Sequence, residues 1–229
     1  MDVVVVVYRL FVALLAFVAT KEIWLEGDLH GLVFFTNQSN LAFGVVLVWA
    51  AVASLGRVPQ PPVWLKGGVT LFLGITGLIS HFVLAPEDPD APVLFLGLTS
   101  GQIEHQITPI AAFADFVLLD RHRRAWWRTP LLWLGYLVAY VCFTTLRAEL
   151  LPEPHYPYGF IDLGELGWGG LAVNVAMYGV GFYALGMVIV TIDRLLPVGP
   201  LIGSAGERGP LAARTTSGTA RERDEAGVR

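Results

Sequence analysis

Thr36 and His105 are the two side chains in this sequence whose types could do chemistry together. A threonine hydroxyl is a weak nucleophile until a neighbouring base takes its proton, and imidazole is the side chain that titrates near neutral pH unaided. Thr36 opens a polar run, Thr36-Asn37-Gln38-Ser39-Asn40, at the head of an apolar segment. His105 lies in a second apolar segment, with Glu104 beside it and Pro109 four residues on. Such a pair attacks an acyl carbonyl, and Asn37, Gln38, Ser39 and Asn40 are the candidate donors to the oxyanion that results. Glu104 is a candidate to orient the imidazole, and His81, towards the end of a third apolar segment, is a further polar candidate for the site.

The elements that must position these groups follow from composition. The chain has 229 residues, 55% hydrophobic and only 15% charged, with a mean hydropathy of +0.61. That is too apolar for a soluble domain of this length, so the chain reads as an all-α, polytopic membrane protein. A membrane-crossing helix needs about 20 mostly apolar residues. Six segments qualify, at residues 3–20, 32–55, 67–85, 93–119, 130–146 and 167–196, so the expected fold is a compact bundle of six transmembrane helices over residues 1–197. Twelve of the fifteen Lys and Arg fall at alternate connections and in the tail, while the opposite loops are acidic (Glu22, Glu87, Asp88, Glu149 and Asp162 among others). Positive loops face the cytoplasm, which places both termini there. Residues 198–229 lack apolar periodicity and read as a disordered cytoplasmic tail.

On helix two, the spacing of three and four residues puts Ser39 and Asn40 on the face of Thr36. Helices two and four both run inward from the outer face. A fourth helix beginning at residue 93 sets His105 deeper than Thr36, whereas a later start brings the two level. Pro109 frees the His105 carbonyl from its helical bond and opens the helix there. The stiff aromatic run Tyr156-Pro157-Tyr158-Gly159-Phe160 lies on the same side as Thr36, either as a lid over the site or as an interfacial anchor.

Intramembrane charges need partners. Arg9 is expected to form a structural ion pair with Asp115 or Asp193, all three lying towards cytoplasmic helix ends. Cys142, the single cysteine, sits mid-helix and reads as a small buried apolar residue. No cluster of His and carboxylates has ligand spacing, so neither a metal nor another cofactor is expected. Expected partners are membrane lipids and an acyl-chain substrate, with no nucleic-acid signature. Two other classes stay open from the residues alone: a haem-binding electron-transfer protein ligated by His81 and His105, and a small transporter lined by Arg9, Glu104, His105 and Asp115.

The run Phe35-Thr36-Asn37-Gln38-Ser39-Asn40, the segment His105 to Pro109, and the run Tyr156-Pro157-Tyr158-Gly159-Phe160-Ile161-Asp162 resemble bacterial relatives of the androgen-induced-gene (AIG) and ADTRP family. The resemblance spans nearly all of residues 3–196 and includes the six-helix count. Animal members of that family are intramembrane threonine hydrolases that cleave fatty acid esters of hydroxy fatty acids with one threonine and one histidine. Carried over, the threonine matches Thr36 and the histidine matches His105. The resemblance implies a lipid carboxylic-ester hydrolase in a bacterial plasma membrane. Around His105 the chain has fewer His and Asn than the animal pattern, so the resemblance assigns the pair and leaves the substrate open.

Overall fold

The computed structural model describes residues 2–56, 58–153 and 155–203. Arg57, Pro154 and the tail from residue 204 onward lie outside the described residues. The described chain is all-helical. Helix α1 (Asp2–Ala19) and the short α2 (Lys21–Trp24) lead through a 3-10 turn (Leu29–Val33) into α3 (Phe35–Leu55) and α4 (Val63–Phe82). A broken helix over residues 100–119 and then α7 (Thr129–Glu149) follow, and after a second 3-10 turn (Gly159–Ile161) α8 (Leu163–Leu195) closes the order. Four of these, α3, α4, α7 and α8, are long and apolar enough to cross a membrane. The first segment falls short of that length, and the fourth changes helical type along its course.

That broken helix is made of α5 (Ser100–Gln102), a π turn (Ile103–Ile107), α6 (Thr108–Ala114) and a second π turn (Asp115–Leu119). It does not begin at residue 93 as expected. Leu96 and Gly97 adopt positive φ angles of 53° and 81° and fold residues 95–98 into a tight turn. Thr99 and Gln102 then form a reciprocal capping box that starts the helix at Ser100. The first π turn answers to Pro109, which has no N–H to return to the His105 carbonyl. The Thr108 amide reaches back five residues to the Ile103 carbonyl, and the widened turn carries His105.

Antiparallel packing fixes the neighbours. Arg9 reaches Ala50 while Phe17 meets Gly44, so α1 runs down α3. Lys66 meets Asp115 while Gly77 meets the His105 carbonyl, so α4 runs down the broken helix. A Cβ on Gly77 would stand 3.1 Å from that carbonyl, which is why the helices can approach so closely there. Trp133 on α7 packs on Gly67 and Gly68 of α4 and donates from Nε1 to the Trp64 carbonyl at 2.7 Å. Gly67→Ala would place a methyl 2.7 Å from that ring. Overpacking of about 1–3 kcal/mol then outweighs the gain in helix propensity of about 1 kcal/mol. The expected result is net destabilisation, read from unfolding in mixed micelles; an unchanged midpoint would contradict this packing.

At one end of the bundle Arg9 pairs with Asp115, as expected, at 2.7 Å from Nε to Oδ1. The pair is larger than the sequence suggested. Arg9 also meets Asp120 at 2.9 Å and Ser54 at 3.1 Å, and Lys66 Nζ donates to both Asp115 and Asp120. Lys66, one of the twelve cations that the sequence places at connections or in the tail, is buried in the first turn of α4. Two cations and two anions thus neutralise one another. Asp193 is not a partner of Arg9. It accepts from the backbone amides of Arg124 and Ala125 at 3.0 and 2.8 Å, because the turn into α7 leaves those donors unpaired. Cys142 is exposed on α7 rather than buried, and residues 198–203 still pack on the bundle, with the Ile202 amide donating to the Leu118 carbonyl.

Candidate functional site

At the opposite end, α3 starts abruptly. Phe34 precedes it in extended conformation with no side-chain cap, and the Gln38 amide is the first to find a carbonyl one turn back. The amides of Phe35 and Thr36 therefore point out of the helix, at its positive end, with no partner within the helix. Thr36, in this first turn, is buried, and its Oγ1 lies 3.4 Å from His105 Nε2. The late start of the broken helix brings the two to one level. The Gly101 backbone carbonyl lies one turn earlier, near the His105 ring. With the ring proton on Nδ1, Nε2 is the lone-pair acceptor facing the hydroxyl, the arrangement a general base requires.

A clamp lies directly beneath. The Thr108 hydroxyl donates to Asn40 Oδ1 at 2.6 Å, and Asn40 Nδ2 donates to the Thr36 carbonyl at 3.0 Å. Both side chains are fully buried. The clamp ties the first turn of α3 to the turn after His105, so the register between nucleophile and base is set by a buried polar pair.

The four side chains proposed as oxyanion donors are committed elsewhere. Ser39 donates to the Phe35 carbonyl at 2.7 Å, Asn37 to Gly31 at 2.9 Å and Gln38 to Leu32 at 2.6 Å, while Asn40 serves the clamp. The 3-10 turn before α3 brings its carbonyls within reach of the first helical turn, where Asn37 adds a second bond to the Gly31 carbonyl beside that of the Phe34 amide, and Gln38 takes the Leu32 carbonyl. Glu104 is buried, with 8% exposure, and one of its carboxyl oxygens has no hydrogen-bond partner among the described residues. The acid beside the Gly101–His105 turn is instead Glu87, from the loop after α4, which packs on the Gly101 Cα. His81 is exposed and lines the same cleft as His105.

Tyr158 is the group whose role the sequence left open. Its phenol faces the Thr36 hydroxyl and the Phe35 and Thr36 amides. Burial pushes that phenol above its ordinary pKa, so it keeps its proton and stays a donor throughout the physiological range. Tyr158, Phe160 and Ile161 also wall a narrow apolar cavity of about 70 Å³ that ends on Thr36. The aromatic loop thus covers the site. On the other side, His105 lines a wide cleft of about 920 Å³ between α4 and the broken helix.

Comparison of the chain with protein-family models, with curated proteins and with solved structures finds no match.

Proposed function

We propose that this chain is an intramembrane carboxylic-ester hydrolase in which Thr36 is the nucleophile and His105 the base. The observation that carries the proposal is the 3.4 Å contact between the Thr36 hydroxyl and His105 Nε2, placed between a small apolar cavity and a wide cleft. Hydrogen bonds of this kind are often long in an empty site and tighten on substrate. The resemblance to the androgen-induced-gene and ADTRP family supports the same pair. In this reading Thr36 Oγ attacks the ester carbonyl carbon as its proton passes to His105 Nε2. The oxyanion is received by the Phe35 and Thr36 amides and the Tyr158 hydroxyl. His105 returns the proton to the departing alkoxide as the C–O bond breaks. Water, deprotonated by His105, then releases the acid and restores Thr36.

The bis-histidine haem reading is less well supported, because a ligand needs a free ring nitrogen and His105 Nε2 faces the Thr36 hydroxyl at 3.4 Å. A transport pathway through Arg9 and Asp115 is likewise disfavoured, since both are locked into the neutral four-residue cluster. The reading includes six spans, with α1 and the broken helix crossing beside the four long helices, both termini cytoplasmic and Thr36 towards the outer leaflet. In a Cys142→Ser background, Asp88→Cys is then expected to label from outside intact cells and Arg128→Cys only after lysis; labelling of both from one side would refute this topology.

The hydrolase is tested with a fluorophosphonate probe on detergent-purified protein, read by intact mass. One adduct is expected on the wild type and none on Thr36→Ala or His105→Ala. An adduct that survives Thr36→Ala would place the reactive hydroxyl elsewhere and sink the assignment.

A further inference from the structure

The Thr36–His105 contact divides the space around it into two unequal compartments, and the chemistry of acyl transfer says which part of an ester each must hold. The acyl group stays on the nucleophile, while the leaving oxygen must reach the base that protonates it. The narrow cavity is lined by Thr36 but not by His105, and the wide cleft by His105 but not by Thr36, with Leu84 shared by both walls. Acyl group and leaving alcohol are thereby assigned to different compartments.

Their sizes and linings then define the substrate. A cavity of roughly 150 Å³ admits benzene, and the narrow one has about 70 Å³, bounded by Ile75, Ile79, Leu137, Phe160 and Phe182. With less than half that volume, the narrow compartment suits a short acyl group. The cleft, at about 920 Å³, takes a far larger alcohol. Its apolar wall of Leu78, Ile110, Phe113 and Leu185 suits a lipid-like body. Among the described residues no Lys or Arg lines it, whereas the Glu87 carboxylate does and has no ion pair among them. An anionic alcohol would meet repulsion there and no counter-charge. Resting on the hydrolase reading, we infer that the substrates are esters joining a short acyl group to a bulky, lipid-like alcohol that is uncharged or cationic.

Phe182 supplies the handle for a test. It walls the narrow cavity and also a neighbouring one of about 70 Å³ between α7 and α8, so Phe182→Ala joins the two. The full-length protein in detergent is assayed on 4-methylumbelliferyl acetate, butyrate and octanoate, with Thr36→Ala as the blank. Leaving-group charge is read as butyrate released from the esters of octanol, choline and 8-hydroxyoctanoate. The wild type is expected to favour the short acyl groups over octanoate by about tenfold or more, and Phe182→Ala to reverse much of that preference. The carboxylate-bearing ester is expected to be slowest, and Glu87→Gln to raise its rate relative to the octanol ester by about fivefold.

Thr36-dependent hydrolysis that favours octanoate, or that favours the carboxylate-bearing alcohol, overturns the assignment of compartments while leaving the hydrolase standing. Absence of Thr36-dependent hydrolysis across all these esters removes both. Should Phe182→Ala fail to fold, the wild-type chain-length series and Val141→Ala, in the same shared wall, decide the question.

Discussion

Thr36→Ala is expected to lower ester turnover by about 10³-fold or more, and His105→Ala by about 10²–10⁴-fold, with the double variant no worse than the weaker single one. The non-additivity is the informative part. A hydroxyl and an imidazole 3.4 Å apart act as one unit, so removing either removes the activated nucleophile. Residual rate would come from the proposed oxyanion donors, the Phe35 and Thr36 amides and the Tyr158 phenol, which neither substitution removes. The measurement is kcat/KM for a short-chain ester in detergent, across wild type, both single variants and the double. Losses that multiply would mean that the two residues act independently, and the pair would not be a catalytic unit.

The second large effect is on stability at the other end of the bundle. Asp115→Leu leaves Arg9 and Lys66 with Asp120 as the one remaining anion, in a site where Arg9 is 2% exposed. Breaking a buried pair from one side costs about 3–5 kcal/mol, because a charge stays buried and uncompensated. Arg9→Met/Asp115→Leu removes one charge of each sign and keeps the cluster neutral with Lys66 and Asp120. The double variant is therefore expected to be more stable than either single one. Unfolding by denaturant in mixed micelles gives the comparison. Single variants within about 1 kcal/mol of the wild type would show that the cluster is not the tie between α1, α4 and the broken helix that its geometry implies.

Several features of the site were readable before any coordinates. A hydroxyl and a titratable ring in apolar segments are costly to bury without a use, so Thr36 and His105 stood out by residue type alone. Arg9 demanded an anion for the same reason, and Asp115 was one of two at a suitable depth. The capping box Thr99–Gln102 was also legible, and it would have set the start of the broken helix correctly. By contrast, nothing in the spacing of Asn37, Gln38 and Ser39 shows that their side chains turn back to the carbonyls of Gly31, Leu32 and Phe35. The Gly31 and Leu32 carbonyls come within reach of Asn37 and Gln38 because the chain makes a 3-10 turn just ahead of α3, and Ser39 bonds back one helical turn to Phe35.

The sequence by itself determined the helical class, the membrane-compatible lengths of four helices and the residue types able to do chemistry, because apolar runs and buried polar groups carry their energetic consequences wherever they fold. Only the tertiary structure decided which polar groups meet. The start of the helix at Ser100 sets His105 level with Thr36, the Asn40–Thr108 clamp holds that register, and the 158–161 loop closes one side while Glu87 enters the other. Lys66 and Asp120 joined the charge cluster by the same route. These contacts join residues far apart in the chain, and their distances depend on helix starts and π turns that shift a side chain by a full residue, a displacement larger than hydrogen-bond tolerance and invisible to periodicity.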